Sequence, residues 1–277
     1  MSNIQGDFSV IMSVYAGDKA EYLQEAIDSI YANTLLPKEL ILVVDGPVGD
    51  EIKTVIKKYE SRGPDSFRAI WLEKNQGHGN ARRIAMDNAS CELIAVMDSD
   101  DICVPERFAL EMAYMQNHLE ISVVGGNIAE FIDDVDNVVG RRIVPTDNDS
   151  IYTWLKGRCP FNHVSVLFKK SDVLNAGGYI DWHYDEDYYL WIRMAENGYK
   201  FANLPEILVN VRVGKDMYQR RGGWKYFVSE YKLQKYMLTK KIINLPRFYL
   251  NVILRFLLQV LFSNKLRSVI FQKFARS

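Results

Sequence analysis

Glu92-Leu93-Ile94-Ala95-Val96-Met97-Asp98-Ser99-Asp100-Asp101 runs from a short apolar segment straight into three carboxylates. On an extended segment Asp98 and Asp100, two apart, share a face. Acids packed this closely repel one another and call for a compensating cation. Hard divalent ions such as Mg2+ or Mn2+ take carboxylate oxygens and keep positions open for substrate phosphates. The end of a strand aimed at a crevice is where open α/β sheets bind ligands. Two readings stand at this point: a metal–diphosphate site, or an acidic turn capping the next helix with Asp101 as its N-cap.

Upstream, strand-like and helix-like segments alternate. Phe8 to Val14 (FSVIMSV) is apolar between polar flanks, as a buried parallel strand is. Tyr22 to Tyr31 places Leu23, Ala26, Ile27 and Ile30 at helical spacing. Glu39 to Val44 (ELILVV) predicts a second strand, stopped by Asp45-Gly46-Pro47, and Glu51 to Tyr59 a helix. Phe67 to Leu72 predicts a third strand, followed by the loop Asn75-Gln76-Gly77-His78-Gly79-Asn80 and a helix over Ala81 to Ala89. Glu92 to Met97 is then the fourth strand, and the alternation predicts a parallel, doubly wound α/β sheet. After Arg107 the pattern changes. Ser122 to Glu130, Val138 to Val144 and Val164 to Phe168 read as further sheet segments, and Asp187 to Asn197 as a helix closed by Gly198. The loop glycines alone spell a tight turn; with a phosphate nearby they could also serve it.

The 277 residues, 48% hydrophobic, suffice for one large domain or a domain with an appendage. Cys91, Cys103 and Cys159 have neither metal-ligand spacing nor an even disulfide set and read as buried thiols in a reducing cytosol. Met1 to Asp7 are polar and lack the apolar core of a signal peptide. The net charge of −1 conceals an asymmetry: from Arg220 onward there are 13 Lys/Arg against one acid, Glu230, so the tail carries +12 and the rest −13. Such a tail suits an anionic membrane face or nucleic acid, and its long aliphatic content favours lipid over nucleic acid. In Phe248 to Phe262 (FYLNVILRFLLQVLF) the polar residues Arg247, Asn251, Arg255 and Gln259 recur every four positions, along one stripe of a helix. The run is too short to span and carries Arg255 at its middle, so the expectation is an amphipathic helix in the membrane interface. Lys265, Arg267, Lys273 and Arg276 would add attraction to headgroups. The alternative is a helix packed on its own domain or on a second copy.

The ordered set VIMSVY (Val10–Tyr15), SIYANT (Ser29–Thr34), ELILVVDG (Glu39–Gly46), NQGHGNAR (Asn75–Arg82), MDSDD (Met97–Asp101), GGY (Gly177–Tyr179) and DEDYYLWIRMAENG (Asp185–Gly198) resembles the family 2 glycosyltransferases of GT-A fold. The likeness is strongest to bacterial enzymes of O-antigen and exopolysaccharide assembly and covers roughly residues 8 to 213. It implies a Rossmann-like, mostly parallel sheet flanked by helices. The catalytic unit would cover 1–215, with about 8–105 as the nucleotide-sugar half and about 106–215 as the acceptor half; 216–277 form the basic helical tail. It also implies a UDP-sugar donor, an inverting transfer and Mn2+ or Mg2+. Tyr15 and Asp45 would meet the uracil, Asp98 the nucleoside, and Asp100 the cation bridging the two phosphates, with Asp98 beside it. Arg82 falls in the loop near the donor. Glu186-Asp187 supplies the acceptor-side base, Asp187 being the usual choice. Two departures stand out. Arg83 replaces a common Asn, and Val211-Arg212-Val213-Gly214 lacks the His that many members carry there. Arg220 and Arg221 could hold the diphosphate instead.

Without the resemblance, Asp185, Glu186 and Asp187 would merely charge a helix N-terminus, and Asp45 would form a turn. His163 and Trp182 are candidates for acceptor contacts; a lone His is more often structural, and Trp191, at helical spacing, reads as core. A polyprenyl-diphosphate-linked sugar is the expected acceptor, which places the protein in the cytoplasm, peripheral on the inner face of the cell membrane. The expected donor sugar is glucose or galactose. Two other classes compete with the transferase. An Asp-x-Asp phosphatase wants its nucleophile near the start of the domain, and a membrane scaffold that keeps the fold would not need both Asp100 and Asp187.

Overall fold

The computed structural model describes residues 4–63, 65–182, 184–214 and 222–262. Nine strands join one sheet around β2 (Phe8–Val14), β4 (Glu39–Val44), β5 (Phe67–Trp71) and β6 (Leu93–Val96), which lie parallel in the order β5-β4-β2-β6. That count includes β7 (Ile102–Cys103), β8 (Ile121–Phe131), β9 (Val138–Arg142), β10 (Leu167–Lys169) and β11 (Lys200–Arg212), with β10 antiparallel to both β6 and β8 and β11 parallel to β8.

 The remaining two, β1 (Ile4–Gln5) and β3 (Leu35–Leu36), pair only with each other in a separate parallel ribbon.

Every residue of β4 is buried, and in β2 only Ser13 is not fully so. Both faces of these strands are covered, as their unbroken Val/Ile/Leu content requires. The faces alternate with period two. Val10, Met12, Leu40 and Leu42 pack under α1 (Ala20–Tyr31), α2 (Asp50–Glu60) and α4 (Arg107–Asn117). Ile11, Ile41 and Val43 face the opposite cluster, which holds α3 (His78–Asn88), α5 (Asn148–Leu155), α6 (Lys170–Asn175) and α7 (Glu186–Glu196). α1 buries Leu23, Ala26, Ile27 and Ile30, the set its spacing predicts. In the tail, α8 (Trp224–Thr239) and α9 (Leu245–Phe256) contribute Leu233, Met237 and Phe248 to the second cluster.

Three local expectations are corrected. The helix expected over Ala81 to Ala89 begins earlier, at His78, because Gly77 at φ 86° turns the chain into it. The strand expected over Val164 to Phe168 is a 3-10 turn, His163–Ser165, followed by β10; the Ser165 hydroxyl donates to the Gly126 and Asn162 carbonyls, which holds the turn. Asp101 is not an N-cap: α4 starts six residues later, after Glu106. The thiols are free as expected, with Cys91 and Cys103 buried and Cys159 half-buried.

Candidate active site

The chain leaves β2 for α1 and β4 on one side and reaches β6 on the other, so the ends of β2 and β6 flank a topological switch point. Tyr15 follows β2, and Asp98 follows β6 by two residues. Asp18 ties the two loops together: its Oδ2 accepts the Tyr15 N–H at 3.1 Å and the Ser99 hydroxyl at 2.9 Å. Tyr15 itself is exposed.

Beneath the acids lies Arg107, fully buried. It donates to the Val96 carbonyl at 2.9 Å and pairs with Glu111 at 3.3 Å, fixing the strand end from which Asp98 to Asp101 project. Burial raises the Glu111 carboxyl to about 7, against the pull of Arg107. Asp101 is buried, and its Oδ1 accepts the Arg212 N–H at 2.8 Å. The Arg212 guanidinium donates to the Asp100 and Asp133 carbonyls, pairs with Glu25 and lies 3.9 Å from the Tyr22 ring centre. The segment that lacks the family's His thus clamps the acidic turn from behind.

Arg82 links the acidic turn to the start of α7. Buried on α3, it donates to Asp98 Oδ1 at 2.7 Å and to Glu186 Oε1 at 3.4 Å. Burial would raise Asp98, but the Arg82 charge, then His78, outweigh it and hold the carboxyl at about 2. Asp100 goes the other way: burial, then the Asp98 and Asp18 charges, raise it to about 6. A carboxylate in so negative a field favours a cation. One hard oxygen donor beside a diphosphate suits Mg2+ or Mn2+, which keep water and phosphate ligands. The residues fit such an ion only in part, since among the described residues no three metal-ligating side chains converge.

Asp45 is buried at the end of β4. Its Oδ1 accepts the Gln76 N–H at 2.7 Å and its Oδ2 the Gly77 N–H at 3.0 Å, so it shapes the loop that enters α3. Gly46 allows this approach: with φ 89°, a Cβ there would sit 2.6 Å from the Asn75 nitrogen. Arg83 points elsewhere, in an exposed pair with Asp87 at 3.3 Å.

Asp185 precedes α7, and Glu186 and Asp187 form its first turn, where the helix dipole favours negative charge. Asp187 Oδ1 accepts the Tyr188 N–H at 2.7 Å. Burial raises the Asp187 carboxyl, with Arg82 pulling the other way. Burial also raises Glu186, again against Arg82. His163 is buried, 3.2 Å from the Tyr179 hydroxyl and packed on Trp191; burial, then Arg82, keeps it neutral. Trp182 is half-buried against Tyr189, ring centres 4.3 Å apart, and Trp191 is core. Arg220, Arg221, Lys265, Arg267, Lys273 and Arg276 lie outside the described residues. Sequence reading passes over Asp18, Arg107 and the clamp role of Arg212. Only Asp18, three residues after Tyr15, carried a local signal.

The glycosyl transferase family 2 profile matches residues 9–175, and the glycosyl transferase family group 2 profile matches 93–273. The fold and site define a GT-A-type glycosyltransferase, and the chain belongs to glycosyl transferase family 2. It is similar to the amylovoran biosynthesis glycosyltransferase AmsE of Erwinia amylovora, 38% identical over 234 residues, 84% of this chain and 86% of that one. It is also similar to the UDP-Gal:alpha-D-GlcNAc-diphosphoundecaprenol beta-1,3-galactosyltransferase of Escherichia coli, 34% identical over 276 residues, 100% of this chain and 99% of that one. Among solved structures, S. aureus TarS 1-349 in complex with UDP-GlcNAc superposes with a TM-score of 0.68 at 17% identity, over 96% of this chain and 75% of that one.

Proposed function

We propose that the protein is an inverting hexosyltransferase that moves glucose or galactose from a UDP-sugar to a sugar carried on a polyprenyl diphosphate, in the assembly of a bacterial surface polysaccharide. The observation that carries this reading is Arg82, one buried guanidinium shared by Asp98 on the donor side and Glu186 on the acceptor side. The two relatives named above, one for exopolysaccharide and one for a lipid-linked acceptor, support the substrate class.

Tyr15, Asp45 and Asp98 receive the nucleoside, and Arg220 and Arg221 meet the diphosphate. Asp100, with Asp98 beside it, would hold the divalent cation. When bound, that ion offsets charge on the departing diphosphate. The acceptor hydroxyl attacks the anomeric carbon, the bond to the diphosphate oxygen breaks with its electron pair, and UDP leaves. The hydroxyl proton passes to Asp187, in the first turn of α7. One displacement turns an α-linked donor into a β product. Glu186 orients the acceptor through Arg82, Trp182 offers an aromatic face to a sugar ring, and His163 supports that side from within through Tyr179. A lipid-linked acceptor places the protein at the inner face of the membrane. Donors assayed on a synthetic sugar–diphosphate–lipid, with Mn2+, Mg2+ or chelator, test the reading. Transfer should need a UDP-hexose and fall at least about tenfold in Asp100→Ala and Asp187→Ala; unchanged transfer in both would overturn it.

A further inference from the structure

The tail helix is mounted the unexpected way round. From Asn251 onward the polar stripe of α9 faces the protein. Asn251 donates to the Lys156 carbonyl at 2.8 Å and to Gln234 at 2.7 Å. Arg255 donates to Glu230 at 2.7 Å and to the Gly157 carbonyl at 2.8 Å. Gln259, in the turn that continues the helix, is buried as well. The outward side is apolar: Tyr249, Leu250, Ile253 and Leu254 are each 48–56% exposed. Positions 249/253 and 250/254 are neighbours on a helix, so these residues form a continuous ridge. A surface helix with its polar side in and apolar side out reverses the usual arrangement, and such a patch marks a contact surface.

At the N-terminal end of the same helix an open groove of about 730 Å3 is lined by Lys156, Lys241 and Arg247 beside Ile242 and Ile243. None of these three cations has a carboxylate partner among the described residues. We infer that the ridge and groove together form a bilayer-docking surface. The ridge enters the interface, and Lys156, Lys241 and Arg247 hold anionic phospholipid headgroups. This deepens the membrane reading above by naming the face and its ligand chemistry. Charge complementarity decides the occupant. Residues 222–262 carry seven Lys/Arg and one acid, Glu230, which already pairs with Arg255. A two-fold pairing of this face would set like charges together, whereas an anionic bilayer neutralises them. Among the described residues no helix is long and apolar enough to cross a membrane, so the helix lies in the interface plane.

The test is sedimentation of the full chain with vesicles, without substrate. Binding to phosphatidylcholine vesicles containing a quarter phosphatidylglycerol should exceed binding to pure phosphatidylcholine and weaken with salt. Lys156→Gln, Lys241→Gln and Arg247→Gln together should weaken it on the order of a hundredfold, and Leu250→Ser with Ile253→Ser should abolish it. Transfer to a short water-soluble acceptor should be unchanged in both variants, which separates misfolding from loss of docking. Vesicle binding unaffected by either variant overturns the inference. So does a wild-type dimer in sedimentation equilibrium that Leu250→Ser with Ile253→Ser converts to monomer. Transfer without vesicle binding overturns this inference alone; vesicle binding without any transfer overturns the transferase reading alone.

Discussion

Replacing Arg82 by Met tests the bridge between Asp98 and Glu186. The substitution keeps most of the side-chain volume and removes the charge shared by Asp98 and Glu186. Asp98 is held at about 2 against an ordinary 3.8, a shift equivalent to about 2 kcal/mol. Because the folded-state value is depressed, this stability is present above about pH 4 and is lost as the pH falls towards 2. Breaking a buried pair costs about 3–5 kcal/mol. The Asp98 side chain keeps 28% exposure and that of Glu186 14%, so solvent screening brings the expected cost below that range, to about 2–3 kcal/mol. Urea unfolding at pH 7 measures it, with an unchanged m-value indicating the same folded state. Asp98→Asn combined with Arg82→Met isolates the pair, and a coupling of about 2 kcal/mol is expected. Coupling below about 0.5 kcal/mol would refute the bridge.

Asp187→Asn should lower kcat by about 10²–10⁴-fold while UDP binding by calorimetry stays intact. Because burial raises the Asp187 carboxyl, the base is ionised only above that raised value, so the acid limb of the kcat profile should lie above the ordinary Asp range and vanish in Asp187→Asn. Arg107→Ala strands Glu111 and the Val96 carbonyl and should cost about 3–5 kcal/mol in urea unfolding at pH 7. Arg255→Leu leaves Glu230 buried without its cation and should lower the melting temperature in calorimetry, whereas the exposed Arg83→Ala should change stability by less than about 0.5 kcal/mol.

The parallel core was legible because β2 and β4 are apolar on both faces, a pattern that admits only a covered sheet. The acidic turn was legible because three carboxylates in four residues have few other uses. What could not be read is what depends on distant partners. Arg212 reaches Asp101 across 111 positions and Arg82 reaches Glu186 across 104, and no local pattern encodes either. The tail shows the limit of periodicity most clearly. The stripe Arg247, Asn251, Arg255, Gln259 was visible, but spacing reports only that a helix has two sides. Which side meets the protein depends on Glu230 and Gln234 on the neighbouring α8, and they turn the polar side inward.

A crystal soaked with UDP and manganese tests the central claim most directly. We expect uridine between Tyr15, Asp45 and Asp98, and an anomalous manganese signal within coordination distance of Asp100 and the diphosphate. Nucleotide bound away from the ends of β2 and β6, with no manganese at Asp100, would contradict the account.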